Sequence, residues 1–243
     1  MDEKLEQVLH QVELLCNQNL EFKAALRERL SLSDAQCFPK DTSAFINLQR
    51  KNMRQKGYMF YQSVKRDNLR NQLINDYAMM LWHKCVGDIP KMFSCILFQM
   101  ENMLNAYIQN EGDSVYKAVK DNPDLYVYRY EKEGLKPYTS IAKDYFFNSN
   151  GNNKPIEKIG IWAKYTYWYV STQKSSSFQS LTHSLVSDVI NFRNNTEHRN
   201  SIKDVPEWMP KHIESWSNDI EAKFSYVDVL LSALLKSIID INA

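Results

Sequence analysis

The sequence predicts an all-α fold, a helical bundle carrying an amphipathic helical extension at its N-terminus and a less regular insert, and three observations predict it. The 243 residues are 44% apolar and 24% charged, the balance of a globular protein rather than a disordered chain. Six glycines and seven prolines are few for that length, and tight hairpins and Greek-key turns consume both. Several long stretches repeat their apolar residues at steps of three and four, which lines one face of a helix.

The extension comes first, over residues 1–69. Leu5, Val8, Val12, Leu15, Asn19, Phe22 and Leu26 fall on the a/d positions of a coiled-coil seam, with Asn19 at an a position. A polar residue there can fix register between two chains, so a dimerising helix is one reading. The other, favoured by a seam of barely four heptads, is an amphipathic helix packed on its own domain. A basic stretch follows, with Arg50, Lys51, Arg54, Lys56, Lys65, Arg66 and Arg70 against Asp67, and Tyr58, Phe60 and Tyr61 interleaved. Cations for phosphates and rings for unpaired bases are what a single-strand RNA binder needs, and Arg50, Lys51, Arg54, Lys65, Arg66 and Arg70 are the candidate contacts. A solvated helix face is the commoner origin of such a run.

The bundle spans residues 70–243. Its first helix covers about 68–86 and is ended by the Gly and Pro of GDIP. The next runs from about Lys91 to Gln109, with Phe93, Ile96, Leu97, Met100, Leu104 and Tyr107 on one face and Glu101 beside them. An acid bordering an apolar stripe needs a partner or water. The insert, about 110–155, holds a short alternating run in DNPDLYVYRYEKEGLKPY that reads as a strand, and an exposed loop in NSNGNNKP. The aromatic run IWAKYTYWYV (161–170) reads as a buried helix, core rather than stacking platform. Ser175, Ser176 and Ser177 offer an N-cap to a helix with Phe178, Leu181, Leu185, Val189 and Phe192 inward. After the connection DVPEWMP, one last helix is expected from about Lys211 to Ile241.

A net charge of +1 gives no global field for a polyanion, so nucleic-acid contact must come from a local patch. Cys16, Cys37, Cys85 and Cys95 show no C-x-x-C spacing, which points to free thiols and a reducing, cytoplasmic setting. The start, MDEKLEQVLHQ, lacks the basic and apolar runs of a signal peptide. The most apolar window, 227–241, is too short for a membrane span and carries Asp228, Lys236 and Asp240. His10, His83, His183, His198 and His212 form no ligand spacing with one another or with the cysteines, so neither a metal nor another cofactor is expected.

One polar stretch stands out. In NFRNNTEHRN (191–200), Arg193 follows Val186, Val189 and Ile190 at helical spacing, which puts it on their apolar side and marks it as a charge presented at an interface. His198 comes five residues later, about 140° further round a regular helix, so the two side chains meet only if the helix ends between them. Asn194, Asn195 and Thr196 are indifferent helix formers and make such an end reasonable. The plain alternative pairs Arg193 with Glu197 and sets His198 against the helix dipole, each worth only tenths of a kcal/mol.

Arg193, Asn194 and His198, set between two long helices and preceded by the helix carrying Glu101, resemble the motif of the HEPN superfamily (higher eukaryotes and prokaryotes nucleotide-binding). The resemblance covers roughly residues 70–243 and implies a HEPN-type bundle. It departs at Arg199, where many relatives have a small residue, and residues before 70 have no counterpart. It implies a metal-independent endoribonuclease that cuts single-stranded RNA through attack of the ribose 2′-hydroxyl on the adjacent phosphate. His198 would handle the proton and Arg193 the developing charge, because imidazole titrates near neutrality and a guanidinium can hold two phosphate oxygens. Asn194 would orient the pair, and Glu101 would hold the arginine. Two copies of the motif would face each other in a homodimer, and many relatives are toxins or phage-defence effectors controlled by an antitoxin or sensor partner. The alternatives are a non-catalytic HEPN-like module that binds RNA, nucleotide or a protein, and a dimeric scaffold built on the N-terminal seam.

Overall fold

Helices dominate the computed structural model of the chain, which describes residues 12, 42–122, 127–131, 134–138, 145–172, 176–196 and 208–240. The chain divides into two compact units, Met1–Gln55 and Lys56–Ala243. In the first, Val12 is helical and Ile46 and Met53 are buried on helix α1 (Thr42–Tyr61), which ends in the second unit. The rest of the N-terminal seam lies outside the described residues.

The second unit contains the end of α1, then α2 (Asp67–Cys85), α3 (Ile89–Glu111) and α4 (Asp113–Asp121). Strands β1 (Val127–Glu131) and β2 (Gly134–Tyr138) form an antiparallel hairpin, with Val127 opposite Tyr138 and Glu131 opposite Gly134. A 3-10 turn at Ile156–Lys158 leads to α5 (Ile161–Ser171), α6 (Ser176–Thr196), α7 (Trp208–Asn218) and α8 (Ile220–Asp240). Among the described residues no helix is long and apolar enough to cross a membrane.

Helix α3 is the axis of this unit, and α2, α5, α6 and α8 pack around it. Its sequence reads as one apolar face, yet Met92, Cys95, Met103, Ala106 and Ile108 are buried as well, and a helix apolar on nearly all sides belongs inside. Met92, Met103 and Ile108 each contribute about 1.5–3 kcal/mol by leaving water. The α2–α3 corner is set by Gly87, at φ 73°, and by Asp88, whose carboxylate accepts from the Lys91 amide at 3.2 Å, with Pro90 in the first turn. Residues 56–64 are part of the same core. Tyr61 and Val64 are buried in it, and a Cβ on Gly57 would sit 2.8 Å from the Ile74 carbonyl oxygen, so only glycine allows this approach of α1 to α2.

Two elements differ from the sequence expectation. The stretch expected to hold one strand holds two, β1 and its partner β2, although β2 contains Pro137 and Gly134, residues that strands disfavour. The single last helix is two, with a turn at Asp219. Ser217, Asn218 and Asp219 are weak helix formers there, and Lys223 reaches back to donate to the Ser215 carbonyl at 2.8 Å, satisfying the end of α7.

Candidate functional site

The platform under the Arg193 motif is aromatic. Phe192, 1% exposed, places its ring 4.8 Å from Phe93 of α3, and Phe93 meets Trp216 of α7 edge to face at 4.9 Å. The Trp216 indole donates to Asp188 Oδ2 at 3.1 Å, one turn before Phe192 on α6. With Val186, Val189 and Ile190 also buried, the last turns of α6 are pinned from two sides. Arg193 and Asn194 are helical in the last turn described, while their side chains, and His198 altogether, lie outside the described residues.

Glu101 bears electrostatically on a different cation, Lys164 of α5. Glu101 follows Phe93 by eight residues on α3, about 12 Å along the axis. One turn beyond it, Asn105 Oδ1 accepts from Lys164 Nζ of α5 at 2.7 Å. Lys164 is wholly buried, and burial pushes its pKa down; the charges of Glu101 and Glu157 partly restore the ammonium. Asn105, one turn beyond Glu101, is thus the residue that holds Lys164, and two helical turns separate Glu101 from Phe93, the ring that Phe192 meets.

The basic stretch is not one helix, since α1 stops at Tyr61 and α2 starts at Asp67. Arg50, Lys51 and Arg54 are exposed on α1 within the first unit. In the second unit Lys65 is exposed, and Arg70 is half-buried, donates to the Val64 carbonyl at 3.1 Å and is paired with Asp67. Arg66 is held by neutral groups: it donates to Gln109 Oε1 at 3.3 Å and Asn110 Oδ1 at 2.9 Å.

A second polar group lies where α1, α2, α3 and α8 meet. The Tyr61 hydroxyl donates to Gln99 Oε1 at 2.8 Å, and Gln99 donates to the Cys95 carbonyl at 3.0 Å. Burial, with the neighbouring charge and hydrogen bond of Asp228, raises Tyr77 to about 12. Asp228 is itself raised by burial, against the pull of Lys84 and its bond with Tyr77. Asp76 is raised to about 6 by burial, and Asp76 Oδ2 and Asp228 Oδ1 are buried without a hydrogen-bond donor. Sequence reasoning missed Lys164, Gln99 and Asp76. The signal for Lys164 was present, a lone charge inside IWAKYTYWYV; Gln99 and Asp76 had none.

Known proteins add no assignment: no family profile matches the chain, and no curated protein and no solved structure matches it.

Proposed function

We propose that the chain is a metal-independent, HEPN-type endoribonuclease that cuts single-stranded RNA. The ribose 2′-hydroxyl attacks the adjacent phosphorus as His198 takes its proton, the bond to the 5′-oxygen breaks, and that oxygen leaves with a proton, giving a cyclic phosphate and a 5′-hydroxyl end. Arg193 stabilises the charge gathering on the phosphoryl oxygens, and Asn194 orients the pair. The observation that supports this best is the aromatic anchorage of α6: Phe192 against Phe93, which in turn meets Trp216 of α7, gives Arg193 and Asn194 a fixed base, and catalysis requires groups held to within an ångström. A homodimer with two motifs facing one cleft, a cytoplasmic setting, and control by an antitoxin or sensor partner in a toxin or defence role complete the proposal.

The electrostatic pull of Glu101 on Lys164 favours a second reading, a non-catalytic module that binds RNA, nucleotide or a protein partner and uses Arg193 only as a contact. The test is cutting of single-stranded RNA by the purified full chain in EDTA. The nuclease reading expects a cyclic phosphate end, with losses of about 10²–10⁴-fold in His198→Ala and about 10²–10³-fold in Arg193→Ala. Binding without cutting, or cutting that survives both substitutions, overturns it.

A further inference from the structure

Helix α1 supplies cations and no carboxylate, since neither Asp nor Glu occurs between Thr42 and Arg66. Lys51, Arg54 and Tyr58 follow one another on it at steps of three and four. That spacing sets them within about 60° on one side of the helix and over about 10 Å of its length. All three are exposed, Tyr58 to 55%. The residues through which α1 is buried, Ile46, Met53, Gly57 and Tyr61, lie on another side.

Elsewhere several cations are tied down by acids: Arg70 by Asp67, Lys84 by Glu221 at 2.7 Å and Lys91 by Asp88 at 3.2 Å. Lys51 and Arg54 make no ion pair or hydrogen bond among the described residues, and the Tyr58 ring meets no other ring among them. A solvated charge run accounts for the cations and not for a bare ring in line with them. Two cations one turn apart suit the phosphates of a nucleic-acid strand, and a ring one turn further suits a base, because every base has a face to stack on. A duplex hides those faces, so the stripe fits a single strand. A lipid surface fits it worse, because an interfacial helix needs a broad apolar face and the apolar side of α1 is packed inside the protein.

We infer that the outer face of α1 is a track for single-stranded RNA, with phosphates on Lys51 and Arg54 and a base stacked on Tyr58. The inference rests on the RNA-directed reading of the protein and adds to it a surface that holds the strand. The two kinds of contact are separable, because the cations act through charge and are screened by salt, whereas the ring acts through stacking and is not.

The test measures binding of a fluorescent single-stranded RNA dodecamer to the full chain carrying His198→Ala, so that affinity is read without cutting. Lys51→Gln and Arg54→Gln are each expected to weaken binding about three- to tenfold and to lower the dependence on salt by about one counterion. Tyr58→Leu, which keeps both cations, is expected to weaken binding about tenfold with the salt dependence unchanged, and Tyr58→Phe to bind as the parent does. The same dodecamer annealed to its complement is expected to be indifferent to Tyr58→Leu. All three positions are exposed, and thermal unfolding of each variant confirms that the fold is kept. Affinity unaltered by Lys51→Gln and Arg54→Gln together, affinity unaltered by Tyr58→Leu, or binding of phosphatidylserine vesicles by a parent chain that binds no RNA overturns the track. RNA cutting by the wild-type chain beside such unaltered affinities removes the track and keeps the nuclease; an affinity that depends on all three residues, without cutting, does the reverse.

Discussion

Lys164 Nζ donates to Asn105 Oδ1 at 2.7 Å from a position with no solvent exposure, so a lysine ammonium inside the bundle has one neutral acceptor and the charges of Glu101 and Glu157 nearby. Such an arrangement specifies how α5 sits on α3 more than it stabilises the fold, because desolvation of the charge offsets what the contact returns. Lys164→Met is expected to leave stability within about 1 kcal/mol of the wild type, since a buried charge is exchanged for apolar volume. Asn105→Leu removes the acceptor while the amine stays, and is expected to cost about 3 kcal/mol. The folded pKa of Lys164 lies below the unfolded one, so its penalty is complete at neutral pH and fades as pH rises toward the ordinary lysine value near about 10. Urea unfolding of both variants, and of Glu101→Gln alone and combined with Lys164→Met, checks this; a cost of Glu101→Gln that persists undiminished without the lysine rules out their coupling.

Asp76 makes the bundle more stable in mild acid than at neutral pH. Its pKa is about 6 in the fold and near 3.8 in the free side chain, so the folded chain keeps its proton over a range where the unfolded chain has lost it. Stability therefore falls as pH rises from about 4 to about 6 and carries the full penalty above that. Because Asp76 is only partly enclosed, the penalty at pH 7.5 is put at about 1–2 kcal/mol. Asp76→Asn is expected to be more stable than the wild type at neutral pH, with the difference shrinking toward pH 4. A difference of equal size at both ends of that range would show that ionisation of Asp76 is not its source.

How much of this was legible in the sequence depended on range. Periodicity and caps are local, so α2, α3, α5 and α6 could be read almost to their ends, and Gly87 and Pro90 marked the corner between the first two. The break at Asp219 was hidden because the apolar spacing continues from Ile220 in phase with Ile213 and Trp216, and only Lys223 bonding back to Ser215 marks the end of α7. Strand β2 was hidden because pairing with β1, not composition, makes it a strand. Contacts between distant segments were not legible at all. Gln99 reads as one more polar residue until Tyr61, 38 positions earlier, is seen to donate to it, and Asn105 offers no hint that Lys164 will donate to it. The motif at Arg193, Asn194 and His198 was legible as a pattern, and its support by Phe192, Phe93 and Trp216 was not.

That support gives the third expectation. Phe192→Leu should cost about 1–2 kcal/mol through the volume lost beside Phe93. Arg193 follows directly, so under the nuclease proposal RNA cutting should fall by far more than the lost stability accounts for, up to about 10²-fold for a shift near 1 Å. Arg193→Ala, in contrast, should leave the unfolding midpoint unchanged. Measuring cutting rate and urea midpoint on both variants separates the roles: a Phe192→Leu protein that cuts as fast as the wild type shows that the aromatic base does not position the motif.

The Tyr61 hydroxyl and the Gln99 carboxamide give the fourth. Both residues are fully buried, and the amide is otherwise satisfied only through its nitrogen, which donates to the Cys95 carbonyl and approaches the Met80 sulfur at 3.5 Å. Tyr61→Phe keeps the ring edge to face with Phe60 and Tyr77 but leaves Gln99 Oε1 with no donor, and is expected to cost about 1–3 kcal/mol. Gln99→Leu strands the hydroxyl instead and should cost a similar amount. Joining the two removes donor and acceptor together, so the double variant should be more stable than the sum of the single losses by about 1 kcal/mol or more. Strict additivity in urea unfolding would mean that the 2.8 Å bond contributes nothing to holding α1 against α3.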